Sequence, residues 1–93
     1  MPTKVQASHI LVPTEQKALE LLFDLQQGKD FGEVAKQNSI CPSKKNGGDL
    51  GWFSRGQMVK EFEDTAFSLE KGKISKPVRT RFGWHLIKVV DAK

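Results

Sequence analysis

Two strand-like segments at opposite ends of the chain, each carrying one of its two histidines, constrain the fold more than any other feature. In Val5 to Val12, a period of two puts Val5, Ala7, His9 and Leu11 on one face. Gln6, Ser8, Ile10 and Val12 fall on the other. Trp84 to Val90 alternates in the same way, with His85, Ile87 and Val89 opposite Leu86, Lys88 and Val90. As the longest and most apolar strands, these two are expected side by side at the centre of a sheet. His9 and His85 then project from the same side of it.

What lies between them alternates helix and strand signals. Pro13 ends the first strand because it has no amide donor. Thr14 offers an N-cap hydroxyl and Glu15 faces the helix dipole, ahead of Ala18, Leu21, Leu22 and Leu25 at helical spacing. Gly28 supplies a left-handed exit. A shorter helix starts at Asp30, with Glu33 three residues on and a stripe of Phe31, Val34 and Ala35. Residues 39–49, SICPSKKNGGD, have loop chemistry, and Leu50-Gly51-Trp52-Phe53 reads as a short strand. Val59, Phe62, Ala66 and Leu69 outline a third helix closed by Gly72, and Pro77-Val78-Arg79 a brief strand. The order is β-α-α-loop-β-α-β-β. It predicts an α+β fold, a four-stranded, mostly antiparallel sheet with helices packed around it.

Ninety-three residues allow one domain, with a core expected over about residues 5–91. Apolar content of 38% with a net charge of only +4 excludes intrinsic disorder. No apolar run approaches the roughly 18 residues of a membrane span, and MPTKVQASHI lacks the apolar centre of a secretory leader. A lone Cys41 makes neither an internal disulfide nor a CxxC zinc knuckle, so a reducing, cytoplasmic setting and a monomer are the expectation. Charge is uneven: residues 71–93 hold seven basic side chains against Asp91 alone, while the rest of the chain holds eight basic and ten acidic. Lys71, Lys73, Lys76, Arg79 and Arg81 read either as a plain solubility surface or as a cationic patch outside any pocket. Such a patch would suit weak contact with an anionic membrane surface or nucleic acid.

The motifs, taken in order, resemble one family. Ala7-Ser8-His9-Ile10-Leu11-Val12 is similar to the opening strand of the parvulins, small peptidyl-prolyl cis/trans isomerases, and Asp30-Phe31-Gly32-Glu33-Val34-Ala35 to their D-F-x-x-x-A helix. Ser39-Ile40-Cys41-Pro42-Ser43 and Gly47-Gly48-Asp49-Leu50-Gly51-Trp52-Phe53 resemble the active-site loop and the strand after it. Met58 and Phe62 match an M-x-x-x-F segment, and Thr80-Arg81-Phe82-Gly83-Trp84-His85-Leu86-Ile87 the closing strand. The resemblance runs from about residue 5 to 91 and implies a stand-alone parvulin domain.

It also implies roles. Leu50, Met58 and Phe62 would form the pocket for the substrate proline ring, with Phe82 closing one side. His9, Cys41, Thr80 and His85 would form a polar floor in which the imidazoles hydrogen-bond each other, and the Val59 N–H would hold a substrate carbonyl. Rotation of an X–Pro amide needs no cofactor and no metal, only a site that favours the twisted amide. The residues alone leave other readings open. Leu50, Met58 and Phe62 at helical spacing also suit ordinary core. Cys41 beside imidazoles suits a nucleophile, although amide rotation has no leaving group and field tuning is favoured. Zinc on His9, His85 and Cys41 is disfavoured by unpaired spacing, and base stacking on Trp52 and Trp84 is a minority reading. A GGDLG turn without GK[ST] is no phosphate loop. Between the first strand and helix, Pro13-Thr14-Glu15-Gln16-Lys17 lacks the basic loop of phospho-specific parvulins, so a non-phospho-specific isomerase assisting folding is expected. The competing class is a catalytically idle proline-segment binder of the same fold.

Overall fold

Residues 2–93 are described by a computed structural model. Its elements are β1 (Lys4–Val12), α1 (Glu15–Gln26), α2 (Phe31–Asn38), a 3-10 helix (Pro42–Asn46), β2 (Asp49–Ser54), α3 (Lys60–Ser68), β3 (Val78–Thr80) and β4 (Gly83–Ala92). The four strands lie in the order β2-β1-β4-β3 and every pairing is antiparallel. The two terminal strands therefore are the central pair. His9 stands opposite Ile87 and Leu11 opposite His85, so the two histidines are diagonal neighbours on one face.

Both sides of the sheet are covered. Ile10, Val12 and Leu86 meet Ala18, Leu21 and Leu25 of α1 and Phe31, Val34 and Ala35 of α2. On the opposite side, Val5, Ala7, Phe53 and Ile87 meet Phe62, Ala66 and Phe67 of α3. Alternation in β1 and β4 thus feeds two separate cores, and the histidines belong to the α3 side. The local signals are in place. Thr14 Oγ1 accepts from Lys17 N–H at 3.1 Å and Asp30 Oδ2 from Glu33 N–H at 3.1 Å, so both caps satisfy amides that a helix start leaves open.

Three boundaries differ from the sequence reading. The 39–49 loop winds into a 3-10 helix at Pro42–Asn46, started by the fixed φ of Pro42 and ended by Gly47 at φ 68°. The third helix stops at Ser68, because Leu69 is extended at φ −78°, ψ 142°, and Gly72 shapes the next turn rather than the cap. Val59 is the N-cap of α3, with no side-chain cap bond. The sheet also gains an isolated bridge between Ile74 and Lys88. No described helix is long and apolar enough to cross a membrane.

Candidate active site

His9 and His85 are the floor of a cavity on the α3 side of the sheet, and both are almost fully buried. Their Nδ1 atoms lie 3.0 Å apart, and His85 Nε2 lies 2.7 Å from Thr80 Oγ1. An Nδ1–Nδ1 hydrogen bond holds a single proton, so one ring donates at that edge and the other accepts. Either His9 donates to His85, whose Nε2–H then donates to Thr80, or the whole chain runs the other way. Both directions leave His9 Nε2 without a partner, and that atom is buried and unpaired. Burial pushes the pKa of each imidazole from 6.5 down to about 4, helped at His9 by the charge His85 would carry. Phe62 presents its ring edge-to-face to both imidazoles, at 5.5 and 5.4 Å between centroids.

The floor is held from behind. Phe82 N–H donates to Thr80 Oγ1 at 3.1 Å, tying the β3–β4 turn to the histidine chain. On the other side, Ser39 Oγ accepts from Leu11 N–H at 3.0 Å and from Cys41 N–H at 3.3 Å, and Ile40 N–H donates to Leu11 O at 2.8 Å. His9 N–H donates to Gly48 O at 2.9 Å. Gly48 has φ 86°, and a Cβ there would stand 2.3 Å from His9 O. Only glycine lets this loop press so closely on β1.

A third segment is fastened by Glu63 of α3, which accepts from Gly56 N–H and from Arg55 Nη1 at 3.0 Å. The Gly56 amide, more than Arg55, holds the Glu63 carboxyl below its ordinary pKa. The turn so fixed delivers Gln57, Met58 and Val59 to the cavity. Val59 stands where a helix leaves its first amides without intrahelical acceptors.

The cavity measures about 550 Å³, within the range of small-ligand sites. It is lined by His9, His85, Cys41, Leu50, Met58, Val59, Phe62 and Phe82, together with Leu11, Ile40, Pro42, Gln57 and Arg81. Among the described residues, no three His, Cys, Asp or Glu side chains cluster as a metal site.

Residues 4–91 match the rotamase family of PPIC-type PPIase domains. The chain belongs to the PPIC-type peptidyl-prolyl isomerase family. It is 55% identical over 89 residues to the foldase protein PrsA of Geobacillus sp. (strain WCH70), covering 95% of this chain and 32% of that protein. Among solved structures it is similar to PrsA from Bacillus anthracis, at 45% identity and TM-score 0.97, over 99% of this chain and 43% of that one. It is also similar to NmPin, the parvulin of Nitrosopumilus maritimus, at 43% identity and TM-score 0.88, over 98% of this chain and 99% of that one. The chain spans about a third of the length of the curated foldases it matches.

Within this PPIC-type domain, eight of the nine residues singled out in the sequence line the one cavity, and Thr80 stands behind it on His85. Cys41 is half-buried at its edge, and no hydrogen bond joins its thiol to either imidazole. One expectation is corrected. Arg81 does not belong to a basic patch outside the pocket: the β3–β4 turn carries it into the cavity lining. Lys71 is also paired, 3.4 Å from Asp91, leaving Lys73, Lys76 and Arg79 as exposed cations of that patch without an ion pair among the described residues. Trp84 packs against the α1–α2 core, and Trp52, partly exposed, carries Lys93 over its ring at 4.6 Å. Ser39 was not singled out as a site residue, although it opens the Ser39-Ile40-Cys41-Pro42-Ser43 motif.

Proposed function

We propose that this domain accelerates cis/trans rotation of X–Pro amides in polypeptides and so assists slow folding steps. The observation that carries this reading is the meeting of Leu50, Met58 and Phe62 with the neutral His9–His85 pair in one cavity. The amide barrier stands near 18–20 kcal/mol because resonance stiffens the C–N bond. Resonance weakens when the carbonyl leaves water. Leu50, Met58 and Phe62 take the pyrrolidine ring, Phe82 closes one side, and the Val59 amide holds a carbonyl. His9, His85 and Thr80 keep the floor rigid and uncharged, so nothing stabilises the planar, charge-separated amide over the twisted one. No bond is made or broken, and no metal or cofactor enters the step. The foldase names of several relatives support a role in folding.

Exchange between cis and trans forms of a short Ala-Pro peptide, measured with and without the protein and with EDTA, tests this. Acceleration unchanged by EDTA is expected. Tight peptide binding without acceleration would favour the idle binder, and loss with EDTA would refute the metal-free step. Cys41 tunes the local field in this reading. Cys41→Asp is therefore expected to lower but keep the acceleration, whereas abolition with an intact fold would support covalent attack.

Non-phospho-specific action fits the connection of β1 to α1, which is only Pro13 and Thr14, with Thr14 spent as the helix cap. A monomer in a cytoplasmic, reducing compartment completes the proposal, supported by a single thiol. Lys73, Lys76 and Arg79, three cations worth about 1 kcal/mol each at an anionic lipid surface, would give weak attachment that salt removes. Cosedimentation with anionic and zwitterionic vesicles at low salt checks it, and equal recovery with both would leave these residues to solubility. Nucleic acid remains the alternative ligand for the same cations.

A further inference from the structure

Among the described residues, Arg81 is the one charged side chain that lines the cavity, and no carboxylate lines it there. It is exposed, so it stands at the rim rather than the floor. Its guanidinium carbon lies 4.9 Å from the centroid of the Phe82 ring. Phe82 in turn is anchored through its amide to Thr80. The other arginine with a ring beneath it, Arg55, is neutralised by Glu63 and Asp64 at 3.0 and 3.7 Å. Arg81 makes no ion pair among the described residues. It is thus an unspent planar donor fork, held by an aromatic wall at the edge of a cavity whose other polar groups are neutral. Apolar walls strengthen the field of such a charge, and a guanidinium matches a carboxylate with two parallel hydrogen bonds.

We propose that Arg81 is a specificity-determining residue that selects proline segments with an acidic residue directly beside the proline. The proposal rests on the isomerase reading above and names its preferred substrate class. The anionic group recognised is a carboxylate. A phosphate would share the chemistry, but one guanidinium with no second cation in the cavity lining gives it little further advantage.

The test is kcat/KM for peptides carrying Glu, Ala, Lys or phosphoserine before proline, with a second set varied after it. Glu is expected to exceed Lys by about fivefold or more in one of the two sets at low salt, and the ratio should shrink as salt screens the pair. In Arg81→Ala the ratio should fall to about one, and in Arg81→Glu it should invert; each ratio is taken within one variant, so a change in overall rate does not enter it. An active protein with equal Glu and Lys rates in both sets overturns the proposal and leaves the isomerase reading intact. A bias that survives Arg81→Glu also overturns it. Phosphoserine exceeding Glu by about a hundredfold would move the selectivity to phosphate and overturn the carboxylate assignment. No acceleration of the Ala-Pro peptide would remove the isomerase reading itself.

Discussion

Acidification from pH 6.5 towards pH 4 is expected to destabilise this domain steeply, through the two buried imidazoles. Both have folded-state pKa values of about 4 against 6.5 in the open chain. Between those limits the unfolded chain binds protons that the folded one refuses, so the free energy of unfolding rises with pH across the window. The stability is fully present above pH 6.5 and is lost as pH falls towards 4. The upper bound is about 3 kcal/mol for each ring, at 1.36 kcal/mol per pKa unit. The physical reason is burial, which takes each ring out of water and disfavours its charged form, with the charge His85 would carry adding to it at His9. Glu63 and Asp91, whose carboxyls are held low mainly by the amides of Gly56 and Ala92, also lose stabilising contacts on acidification. They do so only below their ordinary values of 4.5 and 3.8, beneath most of the histidine window. Urea unfolding across this range reads the effect directly. A midpoint that stays constant down to about pH 4.5 would show that the rings ionise freely in the folded state.

That the histidines would meet was legible because period-two alternation survives in both terminal strands. The register, with Leu11 opposite His85, realises it. Apolar residues on both faces of β1 and β4 are likewise a sequence fact, and the two cores follow from it. Illegible features share a cause: they depend on contacts that residue type and spacing do not signal. Ser39 and Ser75 look like loop serines, yet each hydroxyl accepts a strand amide, of Leu11 and Ile87 respectively. Val59 has no capping side chain, so the start of α3 is set by the Glu63–Gly56 clasp rather than by a local signal. Arg81 belongs by composition to the basic stretch 71–93, and only the tight Thr80–Gly83 pairing of β3 with β4 turns it towards the cavity. The resemblance grouped Leu50, Met58, Phe62 and Phe82 in one expected pocket, and the structure adds Arg81 at the rim of the cavity they line.

Phe62→Ala is expected to cost more than any other single truncation in the cavity wall. Phe62 is 3% exposed and touches two constituencies at once. One is the α3-side core, where Phe53 packs at 6.0 Å between centroids and Val5, Ala7 and Ile87 share the cluster. The other is the histidine pair, which receives the ring edge-on from 5.4 and 5.5 Å. Truncating a buried phenylalanine costs about 3–5 kcal/mol, because transfer energy and a residual cavity add. A chain of this length is stable by roughly 5–14 kcal/mol in all, so the loss is a large share, equivalent to a melting point lower by about 12 °C or more. Opening the wall also admits water to His9 Nε2, now buried and unpaired, and the imidazoles should then titrate closer to 6.5. Phe62→Leu separates the two contributions. It restores most of the volume and most of the melting point, but not the ring edges over the imidazoles, so catalysis stays lowered while the fold recovers. Thermal unfolding and peptide exchange on both variants check this. A melting point within about 3 °C of the parent in Phe62→Ala would show that the α3 core does not depend on this ring.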